Sequence, residues 1–175
     1  TAYHLETETS SVKIAAGKKV KLKVTGSDGS SLSNAQFTWT SGSPKIASVN
    51  QNGVVRFRKN SGGKKAVITA VRKDGSGSPL KITLRSMKGA VKSIQISGKK
   101  TVKAGKSIHL KAVVKTTKGA ANKKVVWTSD KPKIAKVSPS GKVTAAKGAK
   151  GKVKITAKAT DGSGKKKTVK ITVKR

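Results

Sequence analysis

Histidine, cysteine and acidic side chains, the groups that most often catalyse reactions or bind metals, are scarce in this sequence. The 175 residues include two histidines, His4 and His109, six acidic residues and no cysteine. General acid–base catalysis needs a titratable group held against a partner. His4 stands near the N-terminus and His109 falls on the outward side of a predicted strand, so both are interpreted as surface histidines exposed to water. Glu6 and Glu8 are interpreted as neutralisers of nearby lysines. We therefore expect no catalytic site, no cofactor and no thiolate metal site.

Four aspartates stand in predicted loops and are the remaining candidates for binding a metal. They are Asp28, Asp74, Asp130 and Asp161. Calcium prefers several clustered oxygen ligands, whereas each of these loops offers a single aspartate in a strongly positive chain. Three of the four precede glycine, and Asp-Gly is a strong turn signal in its own right. The pattern predicts turns and no metal site.

Lysine dominates the charge of the chain. Its 41 Lys+Arg residues oppose 6 Asp+Glu, for a net charge of +35, and such a protein attracts polyanions at low salt. Only five of the bases are arginine, the side chain suited to bidentate recognition of phosphates. No exposed aromatic series is predicted for stacking on single-stranded bases. We expect loose, salt-sensitive binding of a repeating polyanion. The candidate site consists of consecutive lysines: Lys99, Lys100, Lys123, Lys124, Lys165, Lys166 and Lys167.

An internal repeat sets the organisation of the chain. Residues 38–55 and 126–143 are identical at ten of eighteen positions without a gap, at an offset of 88 residues. Similarity extends to both sides of this block, with one residue lost downstream in the second copy. A unit of this length is too long for a solenoid repeat and suits a sandwich domain. We predict two domains, 1–87 and 88–175, of which the second is the more basic.

Within each copy, apolar and polar residues alternate. Val153, Ile155 and Ala157 alternate with lysine and threonine, which is typical of a strand with one face in a core and one in water. Clusters of Gly, Ser, Asn, Asp and Pro separate the runs, and no stretch of ten residues has helical periodicity. The sequence predicts an all-β chain of two tandem immunoglobulin-like β-sandwich domains, each of about seven strands. Trp39 and Trp127 occupy equivalent strand positions and are predicted to lie in the two cores.

The second copy carries a set of short motifs over nearly its whole length: Val91-x-Ser93-Ile94, Val102-x-Ala104-Gly105, Val126-Trp127-Thr128-Ser129-Asp130, Ala135-x-Val137, Gly141-x-Val143-Thr144-Ala145 and Val169-x-Ile171-x-Val173. These motifs resemble the bacterial Ig-like group 2 domains of intimin-like and invasin-like surface proteins. The first copy departs from the pattern around residues 3–8, where Val-x-Ser-Ile is missing. The resemblance implies the fold and a bacterial cell-surface or secreted location, and it implies no shared active site.

These observations predict a non-catalytic extracellular module. It is expected to be a rod-like spacer whose lysines associate with anionic cell-wall polymers such as teichoic acid, or with host polysaccharide. Nucleic acid is an alternative polyanion, bound without sequence specificity. Two further alternatives are a specific adhesin that binds a host protein or glycan through its loops, and a pure spacer whose charge only serves solubility. No apolar run approaches the ~20 residues of a membrane span, so no membrane insertion is expected. The stretch is interpreted as a monomeric fragment of a longer protein.

Overall fold

The first copy of the repeat forms nine strands in two sheets. In the computed structural model, which describes all 175 residues, one sheet has the order β1-β3-β7-β6, with β4 added to β3, and the other has the order β2-β9-β8-β5. A 3-10 turn over Asn34–Gln36 precedes β5. The strands are β1 (Tyr3–Thr7), β2 (Lys13–Ala15), β3 (Lys19–Gly26), β4 (Ser31–Leu32), β5 (Phe37–Ser41), β6 (Ala47–Val49), β7 (Val54–Phe57), β8 (Lys65–Arg72) and β9 (Leu80–Met87).

The second copy also forms nine strands. Its sheets have the orders β10-β13, β12-β16-β15 and β11-β18-β17-β14. No helix in the structure has the length and apolar character needed to cross a membrane. The strands are β10 (Val91–Ser97), β11 (Thr101–Lys103), β12 (Ser107–His109), β13 (Lys111–Thr116), β14 (Val125–Ser129), β15 (Ala135–Val137), β16 (Lys142–Ala145), β17 (Gly151–Ala159) and β18 (Lys166–Lys174).

The all-β, Ig-like sandwich prediction is confirmed, and the number of strands differs from seven for local reasons. The first strand of each copy divides as it passes from one sheet to the other. β1 pairs antiparallel with β3 and β2 pairs parallel with β9, while β10 pairs with β13 and β11 runs parallel to β18. The two-residue β4 is the other addition in the first copy. In the second copy the other division is at Leu110, between β12 and β13.

The chain forms two compact units. The first consists of Thr1–Ala90 together with Thr117–Asn122 and Thr160–Ser163. The second consists of Val91–Thr116, Lys123–Ala159 and Gly164–Arg175. The units follow the two copies of the repeat over most of the sequence, and the domain limits 1–87 and 88–175 stay a prediction.

Alternation decides which side chains enter each core. In β17, Val153, Ile155 and Ala157 are buried while Lys152 and Lys154 are exposed. Buried and exposed residues alternate with the same period of two in β3 and β8 of the first unit. Because burial of aliphatic side chains contributes about 25 cal/mol per Å² of apolar surface, this pattern selects one register for each strand. A slip of one residue would bury the lysines.

Each core is built around one tryptophan that packs beside a glycine in a left-handed conformation. A Cβ atom on Gly53 (φ +76°) would lie 3.2 Å from Cζ2 of Trp39, and one on Gly141 (φ +89°) would lie 3.2 Å from the ring of Trp127. Side chains other than hydrogen rarely adopt this backbone conformation. The glycines therefore serve two purposes: they close the turns before β7 and β16, and they leave space for the indole rings.

Candidate functional site

Positive charge is concentrated in the second unit. Its segments contain 24 Lys+Arg residues and one acidic residue, Asp130, for a net charge of +23. The first unit has 17 basic and five acidic residues, for a net charge of +12. Since the field of a protein reflects its summed charge, the second unit exerts the stronger attraction on an anion.

The consecutive lysines predicted as the candidate site lie at turns and strand ends. Lys99 and Lys100 occupy the turn between β10 and β11, where the Lys100 Nζ donates a hydrogen bond to the Gly98 carbonyl at 2.9 Å. Lys123 and Lys124 come directly before β14. The third group, Lys165, Lys166 and Lys167, ends the connection from β17 and begins β18.

Two of these three groups lie at the same end of the sheet β11-β18-β17-β14. Val125, the residue after Lys124, pairs with Ala159 at the end of β17. The Ala159 N–H donates to the Lys165 carbonyl at 2.9 Å. The turn with Lys99 and Lys100 lies instead beside Thr172, whose N–H donates to the Lys100 carbonyl. The structure thus brings the second and third groups together and leaves the first at the β11 edge.

A larger group of lysines covers the outer face of the same sheet. It alternates with the buried residues of β17 and β18, and its side chains are exposed. Cross-strand pairing places Lys154 opposite Lys170 and Lys158 opposite Lys166. We call this set the lysine face: Lys152, Lys154 and Lys158 of β17 with Lys166, Lys170 and Lys174 of β18.

Only Lys166 belongs to both the predicted clusters and the lysine face. Consecutive residues of a strand point to opposite sides of the sheet, so a run such as Lys165, Lys166 and Lys167 cannot form one surface there. Lys167 shares the core-facing side with Val169 and is exposed at the end of the strand. In the sequence, the lysine face corresponds to lysine at every second or fourth position, a pattern that by itself predicts only a strand side facing water.

Both histidines are exposed on strands, His4 on β1 of the first copy and His109 on β12 of the second. The His4 Nε2 and Glu6 Oε1 atoms are 2.7 Å apart, and Lys23 Nζ lies 3.8 Å from the other Glu6 oxygen. The hydrogen bond with His4, aided by the charge of Lys23, lowers the pKa of Glu6. His109 ends β12 and is exposed. Neither histidine is held beside a hydroxyl or another nucleophile in the hydrogen bonds of the structure.

The four aspartates lie in four separate loops, and each accepts at least one hydrogen bond. Hydrogen bonds from the hydroxyl and backbone N–H of Ser30, and from the Thr1 hydroxyl, lower the pKa of Asp28 to about 2. Ser76 lowers the pKa of Asp74 in the same way. The Asp161 Oδ1 accepts from the Ser163 N–H at 2.9 Å, and the Asp130 Oδ1 accepts from the Lys154 N–H at 2.8 Å. No three His, Cys, Asp or Glu side chains are grouped in a way that could hold a metal ion.

Two family profiles together match most of the sequence. The bacterial Ig-like domain (group 2) matches residues 90–171, and domain 4 of invasin matches residues 6–84. The chain is a pair of bacterial Ig-like domains of the intimin and invasin type. The resemblance carried by the motifs of the second copy is thereby confirmed, and the first copy is the invasin-like member.

Solved structures similar to the tandem Ig-like chain include an S-layer protein, an intimin and an adhesin. Domains 4 and 5 of the S-layer protein SbsC are 20% identical, with 100% of this chain and 98% of that chain covered and a TM-score of 0.41. A mutant intimin of EHEC O157:H7 is 20% identical over 57% of this chain and 51% of that one, with a TM-score of 0.35. The Escherichia coli adhesin FdeC is 10% identical over 99% and 64%, with a TM-score of 0.38.

The chain spans 28% of the longer structure of SbsC domains 1–6. Each of these likenesses concerns the fold alone. A search of curated proteins gave no significant match.

In both Ig-like domains the tryptophan is a core residue with little surface. Trp39 is 2% exposed and Trp127 is 9% exposed. The Trp39 Nε1 donates to the Asn34 carbonyl at 3.1 Å, and its ring lies 6.2 Å from that of Phe37. A ring with this burial offers no face for a sugar to stack on, so the lysines are the remaining candidates for binding.

Proposed function

We propose that this tandem Ig-like chain is a non-catalytic, extracellular module of a bacterial surface protein. It spaces or presents another domain and associates with anionic polymers of the cell wall, such as teichoic acid, through its second unit. The families it belongs to are Ig-like domains of adhesins and other surface proteins, which supports the location. The observation that carries the proposed binding is the net charge of +23 on the second unit, with six of its 24 basic residues on one sheet face.

Solubility alone does not require this charge. A surface with both signs of charge keeps a small domain soluble, and a net charge of magnitude about 2–8 is ample for that purpose. The second unit has one acidic residue among 24 bases. Its bases thus repel one another with almost no neutralisation, and an anionic partner relieves that repulsion.

The choice of lysine favours a flexible polyanion over a base-reading or peptide-reading site. Lysine is a mobile point charge, whereas arginine presents the planar fork that recognises single phosphates and bases. Arg175 is the one arginine of the second unit. The only aromatic residue of that unit is the buried Trp127, so stacking on bases or on sugars cannot contribute there.

The test is sedimentation of the full chain with purified Gram-positive cell walls, before and after removal of wall teichoic acid. We expect most of the chain to sediment with intact walls at ~50 mM NaCl, because each neutralised phosphate releases a counterion. Walls without teichoic acid should retain several-fold less protein. Equal retention on both wall preparations, or none on either, would contradict the proposal. Retention on neither wall preparation would favour the pure spacer alternative. The adhesin alternative would then be tested by a search for a specific host receptor.

A further inference from the structure

The lysine face forms two parallel columns of charge along β17 and β18. Alternate residues of a strand lie about 6.6 Å apart and neighbouring strands about 4.8 Å apart. On β17 the column reads Lys152, Lys154, Thr156 and Lys158, and on β18 it reads Lys166, Thr168, Lys170, Thr172 and Lys174. The face is thus a strip of ammonium groups and threonine hydroxyls about two strands wide.

Direct pairing of like charges on this face opposes folding. Lys154 lies opposite Lys170, and Lys158 opposite Lys166, and like charges in directly opposed cross-strand positions are destabilising. None of these four lysines forms an ion pair in the structure. Asp130, the one acidic residue of the second unit, accepts a hydrogen bond from the Lys154 backbone N–H.

The first unit shows that the fold does not need lysine at these positions. In the aligned sheet, Val67, Val71 and Thr83 occupy the strand positions of Lys154, Lys158 and Lys170 at the offset of 87 residues. Val67 is 37% exposed and Val71 is 42% exposed. The outer face of this sheet therefore carries three basic residues in the first unit, Lys65, Lys81 and Arg85, and six lysines in the second. Neutral residues serve at the three positions compared above.

Hydroxyl groups stand between the lysine pairs. The Thr156 and Thr168 Oγ1 atoms are hydrogen-bonded to each other at 2.8 Å across the two strands. One of the two hydroxyl protons is left to donate outward.

From this arrangement we propose that the lysine face is a docking surface for a linear phosphodiester polymer, poly(glycerol phosphate) in type, that lies along β17 and β18. This inference rests on the proposed function and assigns its site. Consecutive phosphates of such a polymer are separated by one extended three-carbon unit, which is similar in length to the distance between alternate residues of a strand. Lysine supplies the charge, threonine supplies donors to phosphate oxygens, and the absence of aromatic groups on the face disfavours nucleic acid.

The test compares two triple variants of the full chain that lower the net charge equally, from +35 to +32. The face variant, K154V/K158V/K170T, introduces the residues that the first unit carries at the same positions. The control variant, K111T/K115T/K142T, removes exposed lysines from the other sheets of the second unit. Circular dichroism and thermal unfolding verify that both variants are folded. Affinity for poly(glycerol phosphate) is then measured over a salt series.

We expect the face variant to bind at least ~10-fold more weakly at low salt, and the slope of log K against log[salt] to become shallower by about 2, since three contacts at roughly 0.7 each are lost. The control variant should lose less than about threefold through the general field. Equal losses in both variants would overturn this proposal and leave the proposed function standing. Tighter binding of heparin or DNA at matched charge would overturn the choice of polymer. Failure of the unaltered chain to bind would overturn both proposals.

Discussion

Replacing Trp39 with alanine is expected to destabilise the first unit by about 3–5 kcal/mol, the usual range for removing a large aromatic side chain from a core. The indole is 2% exposed, packs against Phe37 and donates a hydrogen bond to the Asn34 carbonyl. Backbone amides of β5 and β8 pair around this residue. Because about 1.4 kcal/mol corresponds to a factor of ten, hydrogen exchange of these amides should accelerate by roughly 100- to 4,000-fold.

Trp39→Phe and Val71→Ala are the matched controls for this experiment. Phenylalanine keeps most of the apolar surface and loses one hydrogen bond, which contributes about 1 kcal/mol. Val71 is 42% exposed on the outer side of β8, so its truncation removes little buried surface. If exchange in Trp39→Ala were no faster than in Val71→Ala, the tryptophan would not be the centre of this core.

Raising NaCl from ~50 to ~200 mM is expected to weaken binding of the full chain to poly(glycerol phosphate) by roughly 300- to 2,400-fold. The estimate takes six to eight phosphate contacts, at about 0.7 per contact for a single-stranded polymer. That number of contacts matches the lysines of the lysine face with one or two neighbours at its ends. Isothermal titration or fluorescence polarisation at four salt concentrations gives the slope.

Chemical modification of the lysines provides the control for the salt series. Reductive methylation keeps the ammonium charge and acetylation removes it. The methylated chain should retain the slope, and the acetylated chain should not bind. A slope shallower than about −1 would mean that contacts other than charge dominate, as in the adhesin alternative.

Much of the fold could be predicted because burial imposes a period of two on most of the longer strands. Val153, Ile155 and Ala157 could be assigned to a core from alternation alone. The internal repeat supported the assignment, because most strands could be recognised in both copies. The divided strands could not be predicted in the same way. The passage from β10 to β11, and the break at Leu110 between β12 and β13, depend on backbone hydrogen bonds to other strands, and no side-chain pattern records those bonds.

The sequence predicts the type of side chain in the candidate site, lysine, but only part of the position of that site in the fold. The excess of lysine follows from composition, and the second copy is visibly the more basic. The lysine face, however, joins residues of two strands through their pairing, so Lys154 and Lys170 become neighbours although sixteen residues separate them in the sequence. The prediction from the sequence relied instead on runs of consecutive lysines. Within a strand, alternate members of such a run point to opposite sides of the sheet, so they do not form one surface.

A titration of the isotope-labelled full chain with poly(glycerol phosphate), followed by NMR of its backbone amides at low salt, tests whether an anionic polymer docks on the second unit through its lysines. We expect chemical-shift changes that are largest in β17 and β18 and that reverse when salt is added. Changes of equal size in both units, or changes confined to loops of the first unit, would contradict the account.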